Sequence, residues 1–170
     1  MRLFTALWPP REVVEALAAA VDAHPPWHPD GAWRPVDPGS WHLTLCFHGE
    51  DDAATRAREL DRAFAGATAP RLRLAGTGTF PGVVWAGVAP PGALADLAVR
   101  AGADPSAFRA HLTLARRSRR DRDRPELAPG RPADRRSAPV EGRYWTPTEV
   151  LLVGSEPGGR YTPVHRVPLG

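Results

Sequence analysis

Residues 2–8 alternate in a way that suits a β-strand, with Leu3, Thr5 and Leu7 on one side and Phe4, Ala6 and Trp8 on the other. Pro9 and Pro10 stop the strand. A helix is predicted over 10–22, because proline is tolerated at the first helical position and Val13, Val14, Leu17, Ala20 and Val21 form one apolar stripe. Residues 24–38 are rich in Pro and Trp and read as a loop with a short strand at 33–34. A second strand spans 41–48 and ends at Gly49. Glu50, Asp51 and Asp52 then place acids at the positive end of a second helix, which runs to Phe64 with Ala53, Ala57 and Leu60 along one side. Residues 71–80 and 83–88 form a hairpin about Pro81-Gly82. A short helix over 90–101 uses Leu94, Leu97 and Ala101, and a strand over 108–116 follows it. From 117 to 139 the chain is dense in Arg, Asp and Pro and is predicted to be a mobile surface loop. Three β-prone stretches, 140–145, 150–154 and 160–167, close the chain. Helices interspersed with hairpin-linked strands predict an α+β fold with antiparallel sheets.

The 170 residues suit one domain with a real core. No apolar run approaches a membrane span, so no membrane association is expected. One cysteine, Cys46, excludes an internal disulfide and suits a cytoplasmic, monomeric protein. All 22 basic residues are Arg, and Lys, Ile, Asn and Gln do not occur, the imprint of a GC-rich, bacterial coding sequence. Without Lys, chemistry through an adenylylated lysine is impossible. His24 and His28 have a helical metal-ligand spacing, but Pro25 and Pro26 break any helix between them, and no metal or cofactor is expected.

The chemistry concentrates in a repeated tetrapeptide, His42-Leu43-Thr44-Leu45 and His111-Leu112-Thr113-Leu114, with 69 residues from one His to the other. On a strand the leucines pack on one face while each His and Thr share the other, roughly 7 Å apart. Two such strands, side by side or related by a pseudo-twofold axis, would offer one ligand two imidazoles and two hydroxyls. That set suits metal-free acid–base chemistry at phosphorus. A histidine on a strand can also be a polar residue satisfied by a neighbour, but two identical copies point to an internal duplication.

The paired motifs resemble the two-histidine phosphoesterase superfamily, and within it the RNA 2′,3′-cyclic phosphodiesterases once called 2′-5′ RNA ligases. The resemblance extends through Arg2-Leu3-Phe4, Trp41 to Glu50, Phe80-Pro81, Val84 to Val88, Phe108-Arg109 and the stretch ending at Arg116. It implies a bilobal, pseudo-twofold α+β fold of two antiparallel sheets backed by helices, with the motifs facing each other across a central cleft. It also implies opening of a 2′,3′-cyclic phosphate at an RNA end to a 2′-phosphate without a metal. Under it His111 is the base toward water, His42 the acid toward the 3′ oxygen, and Thr44, Thr113 and Arg116 bind phosphate. Phe4 takes the position of an aromatic that contacts the base.

Some readings stay open at this level. Phe4 could serve core packing alone, and Arg116 heads an Arg-rich run and could be one more solvated charge. The substrate could be a small cyclic nucleotide such as an ADP-ribose cyclic phosphate, or the chain could be a noncatalytic RNA-binding or RNA-processing module. The run between Val88 and Phe108 is shorter than is usual in the family, which predicts a trimmed helix and a more open cleft.

Overall fold

The computed structural model describes residues 1–28, 31–117 and 141–170. Its strands are β1 (Arg2–Leu7), β2 (Trp33–Pro35), β3 (Leu43–Glu50), β4 (Arg73–Phe80), β5 (Val83–Ala89), β6 (Leu112–Arg117), β7 (Glu149–Ser155) and β8 (Tyr161–Pro168). Its helices are α1 (Arg11–Ala23), α2 (Ala53–Ala63) and α3 (Ala95–Ala101). The fold is α+β, as expected, and every strand pairing among the described residues is antiparallel.

The two sheets that the family resemblance implies are joined into one. Strands run in the order β4-β5-β6-β3-β1-β7-β8, with β2 also paired to β6. The join is narrow: β3 and β6 share a single residue pair, Leu43 with Leu112. Each of these leucines is the second residue of its motif. The sheet is therefore two four-stranded halves, β3-β1-β7-β8 and β4-β5-β6-β2, hinged on the repeat itself.

One face of the sheet carries the helices. Leu43, Leu45, Leu112 and Leu114 are all buried there with Leu17 of α1, Leu60 of α2 and Leu97 of α3. Helix α2 begins where the Asp52 side chain accepts a hydrogen bond from the Thr55 amide, the N-cap its acid-rich start predicts. Strand β1 is central and buried on both faces; Leu3 and Leu7 join the helix-side core, whereas Phe4 and Ala6 join a smaller cluster with Leu151 and Val153. Thr5 is fully buried, and its hydroxyl is paired with Nε2 of His48 at 2.7 Å.

Three elements differ from their predicted extent. The strand expected over 108–116 begins only at Leu112, as β6. Helix α3 has seven residues, because Gly102 adopts a left-handed conformation (φ 103°) that terminates it. Residues 141–145 contribute two isolated bridges, Ala75 with Glu141 and Leu72 with Trp145, in place of a strand. The Arg-rich stretch predicted as a mobile loop lies outside the described residues, apart from Arg117. Among the described residues no helix is long and apolar enough to cross a membrane.

Candidate active site

The face opposite the helices holds a cleft of about 330 Å³. His42, Thr44, His111, Thr113, Arg116 and Phe4, the six residues singled out from the sequence, all line it. The join between the half-sheets explains the convergence. The Leu43–Leu112 pair brings the two motifs side by side, so that His42, Thr44, His111 and Thr113 line one cleft.

Both histidines are held in the same way. Nδ1 of His42 lies 2.8 Å from the carbonyl oxygen of Ser40, and Nδ1 of His111 lies 2.7 Å from that of Arg109, each two residues upstream. A carbonyl only accepts, so Nδ1 carries the proton in both rings. In the neutral imidazole this leaves Nε2 as the basic nitrogen. The tautomer that acid–base work requires is therefore built into the chain leading into each strand.

The surroundings of the two rings differ. Three aromatic rings enclose His42: Trp8 stacks on it at 5.1 Å between centroids, with Phe4 at 5.1 Å and Tyr161 edge-on at 5.2 Å. Burial in this cage pushes the His42 pKa below its ordinary value, against the Ser40 carbonyl, which raises it; the positive charges of Arg116 and His111 lower it further. His111 touches Phe80 edge-on at 5.0 Å and Trp85 at 6.5 Å.

Simple alternation would put Arg116 on the leucine face, since it lies an odd number of residues from Thr113. A β-bulge corrects this. Trp85 pairs with Thr113 and Val84 with Ala115, so Leu114 is the extra residue and the phase shifts. Leu114 and Ala115 are both buried, and Arg116 reaches the cleft. The first motif has the same bulge: Ala6 pairs with Thr44 and Thr5 with Cys46, leaving Leu45 extra. There the shifted residue is Phe47, which emerges on the cleft side 75% exposed. Phe47 and Arg116 are thus equivalent positions of the repeat, one presenting an aromatic ring and the other a cation.

Phe4 lines the cleft but is only 3% exposed, and it packs on His42, Phe47 and Tyr161. Its visible part is the support of the imidazole. Sequence reasoning did not single out Trp8, Phe47, Tyr161, Arg2 or Ser155 as site residues. The last three form a row across β1, β7 and β8, with Arg2 paired to Ser155 and Ser155 to Tyr161. Only strand pairing brings residues so distant in the chain together; the exposed Phe47 was signalled only by its place in the repeat.

A half-buried pair of oriented imidazoles with flanking hydroxyls and the Arg116 guanidinium, set across a duplicated antiparallel sheet, is the arrangement that the resemblance to two-histidine phosphoesterases implies. Residues 7–85 match the model of the LigT-like phosphoesterases. The chain is 37% identical over 139 residues, 69% of each chain, to an RNA 2′,3′-cyclic phosphodiesterase of Thermus thermophilus. Among solved structures, a Thermus thermophilus protein is 33% identical with a TM-score of 0.68, covering 99% of this chain and 98% of its own. E. coli LigT complexed with phosphate is 31% identical with the same TM-score, covering 99% and 96%. This chain belongs to the LigT-like phosphoesterase family.

Proposed function

We propose that the chain hydrolyses 2′,3′-cyclic phosphate ends of RNA to 2′-phosphates, using His42 and His111 as a metal-independent acid–base pair. The observation that carries this reading is the matched anchoring of the two rings, each with Nδ1–H on a carbonyl and Nε2 left for chemistry, in one cleft with Thr44, Thr113 and Arg116. The relative named for this activity, at 37% identity, supports the choice of substrate.

In the proposed reaction Nε2 of His111 takes a proton from water as its oxygen attacks phosphorus. The bond from phosphorus to O3′ breaks in line, and His42 gives O3′ a proton from Nε2. The product is a 2′-phosphate with a free 3′ hydroxyl, and exchange with solvent resets both rings. Thr44 and Thr113 donate to the nonbridging oxygens, and Arg116 offsets the charge that grows on them.

The electrostatics suit this division. Without substrate, burial and the charge of Arg116 favour neutral His42. A phosphate anion between the motifs counters that charge and favours the protonated ring, so binding the substrate arms the acid. We read the chain as one domain acting as a monomer in the cytoplasm, a reading that the single thiol and the gathering of the six proposed site residues within one chain support.

The test is turnover of an RNA oligonucleotide ending in a 2′,3′-cyclic phosphate, in EDTA, with phosphorus NMR locating the product phosphate. Wild type should give the 2′-phosphate, and His42→Ala and His111→Ala should each lose about 10²–10⁴-fold in kcat. No turnover in EDTA, a 3′-phosphate product, or activity that survives either substitution would overturn the proposal.

A further inference from the structure

Beside the cleft runs a second, more open groove of about 560 Å³, within the range of about 300–1,000 Å³ that small-molecule sites occupy. It is predominantly apolar, with Phe47, Phe80 and Phe108 and the small residues Ala103 and Ala107 along it and Arg109 in its lining. The proposed reaction gives it no role. It is continuous with the catalytic cleft, since Thr44, Phe47 and His111 line both.

We propose that this groove is a subsite for the nucleobase of the penultimate nucleotide, and so makes the chain prefer oligonucleotides over mononucleotides. The inference rests on the cyclic phosphodiesterase reading and extends it to substrate choice.

Three observations support a nucleobase as the occupant. First, the last ribose carries its own base at C1′ and continues the chain through its 5′ oxygen, so a groove that adjoins the cleft lies within reach of the preceding nucleotide. Second, Phe47 is a 75% exposed ring on β3 that lines both cavities. Exposed aromatics of this kind are how proteins hold unpaired bases, by stacking that tolerates any sequence. Third, the Arg109 guanidinium is exposed and donates to two backbone carbonyls, of Ser106 and Phe108, which leave its positive charge in place for the phosphodiester joining the two nucleotides.

Gly102 ends α3, and the following loop, bonded on itself at Asp104, lines the groove together with β3. That loop also supplies the Arg109 carbonyl on which His111 is anchored. The segment that receives the base is therefore the one that orients an imidazole.

The test compares kcat/KM for adenylyl-adenosine 2′,3′-cyclic phosphate with that for adenosine 2′,3′-cyclic phosphate. Wild type should favour the dinucleotide about tenfold, mostly through KM, which is within the range of one base stacked on an aromatic ring. Ala107→Trp, at an exposed position, fills the groove and should bring the ratio to about one while leaving mononucleotide turnover unchanged. A dinucleotide whose 5′ nucleotide lacks its base should likewise give a ratio of about one in wild type. A wild-type ratio near one, or a preference that survives Ala107→Trp or the loss of that base, overturns the subsite. If neither compound turns over, it is the cyclic phosphodiesterase reading that fails. Calorimetric affinities of the two compounds then decide the groove, and equal values in wild type and Ala107→Trp overturn it.

Discussion

Truncating Leu112 to Ala probes the point on which the two half-sheets hinge. Leu112 is fully buried and pairs with the equally buried Leu43, the one residue pair between β3 and β6. Removing three carbons from a closed site forfeits about 2.4 kcal/mol of transfer free energy at about 0.8 kcal/mol per carbon. The unfilled cavity brings the total to about 3–4 kcal/mol. For a chain of this length that lowers Tm by about 10 °C, at roughly 2–4 °C per kcal/mol. Urea unfolding followed by tryptophan fluorescence measures the change. Leu43→Ala should cost a similar amount, and because the two side chains adjoin, the double variant should depart from additivity by about 0.5–3 kcal/mol. The same pair joins the two His–Thr motifs, so under the proposed function kcat should fall in each variant by more than KM rises. A loss of about 1 kcal/mol or less for Leu112→Ala, or strict additivity with Leu43→Ala, would refute the reasoning that this pair joins the halves.

Arg116→Gln removes one of the charges that lower the His42 pKa, so the ring should titrate at higher pH than in wild type, as followed by NMR of its C–H signals. The same variant should lose about 10²-fold or more in kcat/KM on a cyclic-phosphate RNA, since it removes a charged donor from the transition state. His48→Leu leaves the buried Thr5 hydroxyl without its His48 partner and should cost about 1–3 kcal/mol in urea unfolding, with Thr5→Val in the same chain restoring most of it. His42 and His48 are both held below the ordinary imidazole value of 6.5, chiefly by burial. Below that value the unfolded chain binds more protons than the folded one. Their contribution to stability is therefore complete above about pH 6.5 and is lost as pH falls through the folded values, and His48→Leu should flatten part of that slope.

Much of the fold was legible because its elements are locally encoded. The Val13, Leu17 and Val21 stripe marks α1, the acids before Ala53 mark the start of α2, and Pro81-Gly82 marks the β4–β5 hairpin. Residues 141–145 misled because their β-propensity meets only single bridges to β4 and its approach. Phe4 was left open between stacking and packing for a similar reason: whether a ring on a strand is exposed depends on what lies across the sheet, here His42 and Tyr161.

The repeated motif alone determined that two His–Thr pairs share a face opposite their leucines, because side-chain alternation is a property of any strand. The sequence could also place Arg116 near phosphate by resemblance, though its parity argued for the other face. Tertiary structure decided what parity could not. Pairing with β1 and β5 selected a bulge at Leu45 and at Leu114, and each bulge shifted the phase of what followed. That shift brings Arg116 and Phe47 to the cleft, and the pairing of Arg2, Ser155 and Tyr161 across β1, β7 and β8 closes its far side. A bulge is a response to the partner strand's register, and that register exists only once the sheet has formed.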